Sequence, residues 1–92
     1  MNITFVKKIL ADGNACKKCA DVEKRLQDSD YMQYIDTTIV ADERDPDSEG
    51  MQLARQHNMS RAPFFIVEDG DSVQVYDIYF QLVKEVLEKI DP

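Results

Sequence analysis

The sequence predicts an α/β fold: a mixed four-stranded sheet with helices on both faces, its elements in the order β-α-β-α-β-β-α. Three observations carry this. Runs of β-branched and aromatic residues alternate with helical stripes through the first half of the chain, the pattern of crossover units. Phe64-Phe65-Ile66-Val67 is a continuous apolar run, the mark of a strand buried on both faces. Asp69-Gly70 follows at once as a hairpin signal, which adds an antiparallel partner to a sheet begun in parallel.

Each element has its own warrant. Residues 2–10 read as the first strand, and Asp12-Gly13-Asn14 as a turn. A helix starts near Cys16, with Cys19, Val22 and Leu26 recurring on one face. Residues 34–40 read as the second strand. An acidic loop from Asp42 to Glu49 leads into a second helix, with Asp47 or Ser48 as N-cap. That helix carries Met51, Leu53 and Ala54 and is expected to stop near Asn58, a residue that tolerates the left-handed conformation. Residues 72–76 form the hairpin partner. Asp77 is the expected cap of a last helix, whose stripe is Phe80, Val83, Leu87 and Ile90. No internal repeat or low-complexity segment is visible.

The 92 residues are expected to form a single domain, 1–92. At this size roughly 60–65% of the unfolded surface is buried on folding, a modest but sufficient core. Eighteen acidic against eleven basic side chains give a formal charge of −7, which argues against a nucleic-acid binder. The charge is uneven: residues 1–25 carry +3 and the remainder −10. Both cysteines, Cys16 and Cys19, lie in the positive segment. No run approaches the roughly 18 apolar residues of a membrane span. Lys7 and Lys8 interrupt the apolar start, so no secretory signal is read there. A cytoplasmic location and a monomer are expected. In that compartment thiols stay reduced, and a cysteine pair serves catalysis or metal binding rather than stapling.

Cys16-Lys17-Lys18-Cys19 is the informative motif. Zinc sites share its spacing, but here it follows a strand and a short loop and opens a helix. Free N–H groups and the positive end of the helix dipole favour a thiolate at Cys16, and Lys17 and Lys18 add positive charge. Cys19 lies one turn on, about 5–6 Å away, a separation that suits a disulfide. Cys19 shares its face with Val22 and Leu26 and is expected to be the more buried thiol. The implied chemistry is thiol–disulfide exchange, with Cys16 attacking and Cys19 resolving the mixed disulfide.

With the segment from Ala54 to Val67, this motif resembles the thioredoxin superfamily over essentially the whole chain. The direct passage from first strand to motif is similar to the short, glutaredoxin-like form. The resemblance implies a helix ending at Asn58, an apolar Met59, and a cis-proline, Pro63, opening a buried strand. It also implies that Ala62 and Pro63 face the cysteines and hold an extended substrate segment, with Arg61 near them. Ala15 stands where thioredoxins carry Trp, and two lysines replace Gly-Pro or Pro-Tyr between the cysteines. The turn before the last helix, Tyr76-Asp77-Ile78-Tyr79, lacks the glycines that contact glutathione, so Asp77 alone stands for that contact. The expected partners are a protein or small-molecule disulfide and a reductant, either glutathione or a thioredoxin reductase. No cofactor is implied.

Other readings stand beside this one. The pair could serve a non-catalytic docking module that uses the groove beside Pro63, or a thiolate-held iron–sulfur cluster or metal shared across a dimer; Cys16, Cys19 and His57 fall short of the four ligands of a zinc site. Lys17, Lys18 and Arg61 could be plain solvated charge. Asp45 to Gly50 starts like a calcium loop, yet its twelfth position is Gln56 where a bidentate Glu is needed, so it reads as a solvated loop. His57 reads as a packing residue. The last helix is apolar over a wide arc, which core packing or a weak docking surface would both explain.

Overall fold

In the computed structural model, which describes residues 1–90, the strands are β1 (Asn2–Ile9), β2 (Thr37–Asp42), β3 (Phe64–Asp69) and β4 (Ser72–Tyr76). The helices are α1 (Lys17–Asp28), α2 (Glu49–Gln56) and α3 (Tyr79–Glu85). The four strands make one sheet in the order β2-β1-β3-β4. β1 runs parallel to β2 and antiparallel to β3, and β3 is antiparallel to β4, so the sheet is mixed. The two central strands hold the continuous buried runs, Ile3 to Val6 and Phe64 to Val67.

Alternation along β1 sends its side chains to two cores. Ile3 and Phe5 join Val22 and Leu26 of α1, Leu82 of α3, and Phe65 and Val67 of β3. Phe5 and Phe65, partners in the ladder, stack with ring centroids 5.0 Å apart. Val6 joins Ala41, Phe64 and Ile66 on the other face, against Met51, Leu53 and Ala54 of α2. The sheet therefore has α1 and α3 on one face and α2 on the other. Gly50 sets how closely α2 lies on β2, because a Cβ there would run into the backbone of Val40 and Ala41.

The element order differs from the predicted one by two short 3-10 segments, Tyr31–Tyr34 and Leu87–Lys89. The first displaces the start of β2 from the expected residue 34 to Thr37. Asp36 explains the new boundary: Ile3 N–H donates to its Oδ2 at 2.7 Å, and its own N–H donates to Ile3 O at 2.9 Å. A carboxylate thus takes a donor that a preceding strand residue would otherwise pair. The last helix does not run on to Ile90 but breaks at Val86 (φ −125, ψ −63) before the second 3-10 segment. Its buried positions are Leu82, Val86 and Leu87, while Phe80 is 67% exposed. Of the expected stripe, Val83, Leu87 and Ile90 pack on the core and only Phe80 does not; Tyr79, Leu82 and Val86 widen the buried arc instead. Asp77 does not cap this helix; Ile78 holds the N-cap position, with no side-chain cap bond.

Other local expectations stand with small shifts. Ser48 is the N-cap residue of α2, but its hydroxyl serves β2 instead, accepting the Asp42 N–H at 3.0 Å. Asn58 closes α2 with φ 56. The hairpin turn centres on Gly70 and Asp71, because Asp69 pairs with Ser72; Gly70 at φ 60 supplies the positive angle that such two-residue turns need. Among the described residues no helix is long and apolar enough to cross a membrane.

Candidate active site at the first helix N-terminus

The loop between β1 and α1 delivers Cys16 to one edge of the sheet. Gly13, at φ 86, lets the chain reverse, and its N–H donates to Leu10 O at 2.8 Å. Leu10 N–H donates to Asn14 O at 2.8 Å, which closes the loop from the other side. The Asp12 carboxylate accepts from the Asn14 backbone and side chain, and these bonds hold it below the usual carboxylate range. Ala15 bridges to Ile9, and Cys16 N–H donates to Lys8 O at 3.3 Å.

Cys16 is then the N-cap of α1, in an extended conformation, and its Sγ accepts the Cys19 N–H at 3.3 Å. The sulfur occupies the position where a Ser or Asp oxygen usually satisfies a free donor of the first turn. Cys16 is partly exposed, whereas Cys19 is 3% exposed. Both cysteines are free thiols. The Cys19 Sγ accepts the Lys8 backbone N–H at 3.4 Å, so strand and helix each provide a donor to one sulfur. Burial, and next the hydrogen bond with Cys16, push the Cys19 thiol from its ordinary 9.0 up to about 12. Burial in apolar surroundings disfavours the charged form. The pair is therefore asymmetric, with one accessible sulfur and one held as a neutral thiol behind it.

Cations gather around this edge. Lys7 pairs with Glu23 of α1 at 3.4 Å, and Lys8 pairs with Glu43 at 3.7 Å while also donating to Ser60 O at 3.4 Å. Lys17 and Lys18 are exposed in the first turn of α1. Beside the sulfurs lies a pocket of about 330 Å³, lined by Cys16, Cys19, Lys7, Lys8 and a mainly apolar set that includes Ile9 and Val40.

The other expected site residues reach the same edge by strand register. Val6 pairs with Phe64, which carries Pro63 and Ala62 on toward Lys7 and Lys8. The Ala62–Pro63 peptide bond is cis, and Pro63 is buried, Ala62 half-buried and Arg61 exposed. Phe65 pairs with Tyr76, so half-buried Asp77 also leaves β4 at this edge. None of Arg61, Ala62, Pro63 and Asp77 lines the pocket beside the cysteines. His57 is the C-cap of α2 and half-buried. Among the described residues, no three His, Cys, Asp or Glu side chains gather into a cation site.

Lys8 was not among the residues the sequence singled out, yet it contributes a backbone donor to Cys19 and a side chain across the edge to Ser60 and Glu43. Its signal was present: two consecutive lysines end a strand whose preceding four residues are all buried. In a central strand that change marks where the sheet opens to solvent. No protein-family model, no curated protein and no solved structure matches the chain.

Proposed function

We propose that this chain is a thiol–disulfide oxidoreductase of thioredoxin-like, glutaredoxin-like fold. Cys16 is the nucleophile and Cys19 the resolving thiol. The observation that carries the reading is the asymmetry of the pair: a partly exposed sulfur capping a 12-residue helix, with a buried thiol one turn behind it. The mixed α/β sheet and the register that brings Ala62, Pro63 and Asp77 to the same edge support it.

The reaction follows from the residues. The Cys16 sulfur attacks one sulfur of a substrate disulfide and expels the other as a thiolate, which takes up a proton. The Cys19 N–H donates to the Cys16 sulfur at 3.3 Å and keeps it at the N-terminus of α1 for the attack. Cys19 then loses its proton and attacks Cys16 Sγ, releasing the second substrate thiol. The protein dithiol becomes a disulfide and the substrate disulfide becomes two thiols. Because Cys19 is held neutral, the first encounter belongs to Cys16. In this reading Ala62 and Pro63 offer backbone to an extended substrate segment, and Lys17 and Lys18 attract it.

Trapping tests this directly. With Cys19→Ser, a disulfide substrate is expected to stall as a mixed disulfide on Cys16, visible by mass and released by a dithiol. With Cys16→Ser, turnover of a reducible protein disulfide is expected to be lost. A Cys19→Ser protein that forms no adduct, together with a wild type that turns over no disulfide, sinks the reading in favour of a docking module.

A further inference from the structure

The composition of the edge around Cys16 bears on whose disulfide the site meets. The pocket beside the sulfurs presents Ile9, Ala15, Ala20 and Val40, with the Lys7–Glu23 pair closing one wall. Its volume of about 330 Å³ is ample for an apolar side chain. Lys17 is three residues from Ala20 and so stands at the rim.

Charge around the pocket is of two kinds. Lys7 and Lys8 are matched by Glu23 and Glu43. Lys17, Lys18 and Arg61 are exposed and have no carboxylate partner among the described residues; even Asp21, one turn on from Lys17, forms no ion pair with it. The acidic groups that remain nearby are Asp12, bound by Asn14 in the preceding loop, Asp21 one turn on in α1, and Asp77 beyond the end of β4. The rest of the chain is strongly acidic, at −10 over residues 26–92. Lys17 and Lys18 stand between the two cysteines, so an acidic partner meets its nearest unpaired positive charge beside Cys16 while the acidic remainder of the chain repels it, and the field orients it toward that sulfur.

We infer that the disulfide reduced at this site belongs to an acidic polypeptide segment, with an apolar residue beside the half-cystine that Cys16 attacks, seated in the pocket. The inference rests on the thiol-exchange reading. In the single turnover it concerns, the protein's two thiols are oxidised to a disulfide, and their protons and electrons reduce the peptide disulfide to two thiols.

The experiment uses short peptides closed by one disulfide, flanked by Glu or by Lys, and carrying Leu or Ser next to one half-cystine. Pre-reduced full-length protein reacts with each, with a small neutral disulfide as reference. The Glu-flanked peptides are expected to react about tenfold faster than the Lys-flanked ones at low salt, the gap closing as salt is raised. Among the Glu peptides, Leu is expected to exceed Ser, and Ala20→Phe, which fills the pocket, is expected to shrink that ratio. Equal rates for Glu and Lys peptides, or for Leu and Ser, while the neutral disulfide still reacts, overturn the inference and leave the thiol-exchange reading standing. No reaction with any disulfide overturns both.

Discussion

The two faces of the sheet are held by different means. On the α1–α3 face, large side chains interlock: Phe5, Phe65, Leu26, Leu82 and Leu87 are all nearly inaccessible to solvent, and aromatic stacking adds to their burial. On the α2 face, the buried cluster among the described residues is Val6, Ala41, Phe64 and Ile66, and no α2 side chain is among them. There the helix is held close instead, by Gly50 against the β2 backbone and by Ser48 Oγ accepting from Asp42. One face depends on volume and the other on proximity. The lesson is that the same kind of mutation should have opposite severity on the two.

The largest expected effect is on the volume-held face. Phe65→Ala should cost about 3–5 kcal/mol, since it removes a stacked ring and leaves a cavity. Denaturant unfolding measures this, and a loss near that of a surface change would mean that the face does not depend on interlocking. Next comes Gly50→Ala, where one added methyl meets backbone that has no flexible end to move, at a cost of about 1–3 kcal/mol. Truncating a large residue on the same helix, Met51→Ala, should cost less than Phe65→Ala, because Met51 is only partly buried. If Met51→Ala proves the worse of the two α2 changes, the contrast between the faces fails.

Cys19 sharpens the comparison at the edge where α1 meets β1. An unfolded chain ionises this thiol near its ordinary value of 9.0, whereas the folded chain keeps it protonated to about 12. Between those values the folded state binds more protons, so stability present below about pH 9 is lost as pH rises. Melting temperatures of the reduced protein from about pH 8 to about pH 11 should fall more steeply for the wild type than for Cys19→Ala. Parallel curves would show that burial of this thiol contributes nothing to the pH dependence.

The smallest effect concerns the Tyr79 hydroxyl, which is buried at the border of the large core without a hydrogen-bond partner among the described residues. Removing an unsatisfied polar group relieves a desolvation cost, so Tyr79→Phe should be neutral or stabilising by up to about 1 kcal/mol. A clear destabilisation would mean that the hydroxyl contributes a favourable interaction after all.

The same contrast separates what the sequence discloses from what it hides. Phe64 to Val67 and the hairpin after it are legible because burial on both faces writes a local apolar run. The helix at Cys16 is legible because Cys19, Val22 and Leu26 recur at helical spacing, and that spacing also makes Cys19 the inner thiol. The start of β2 is not legible: it depends on Asp36 bonding to Ile3, 33 residues away. Neither is the break at Val86, since a wide apolar arc leaves the helical phase to tertiary packing. At the site, the two cysteines and their lysines stand in one tetrapeptide. Lys8 enters only through strand pairing and helix docking, and the pocket it lines with Val40 belongs to no motif.

The capping of α1 by Cys16 makes the helix a witness to the state of its own sulfur. The Cys19 N–H points at the Cys16 Sγ, with 3.3 Å between nitrogen and sulfur, so the resonance of its proton follows the electron density on that atom. Ionisation of the thiol should move that one signal strongly, and alkylation or a disulfide should weaken the bond and speed exchange of the proton with solvent. A single backbone resonance thus reads out the progress of the chemistry without any label placed on the protein.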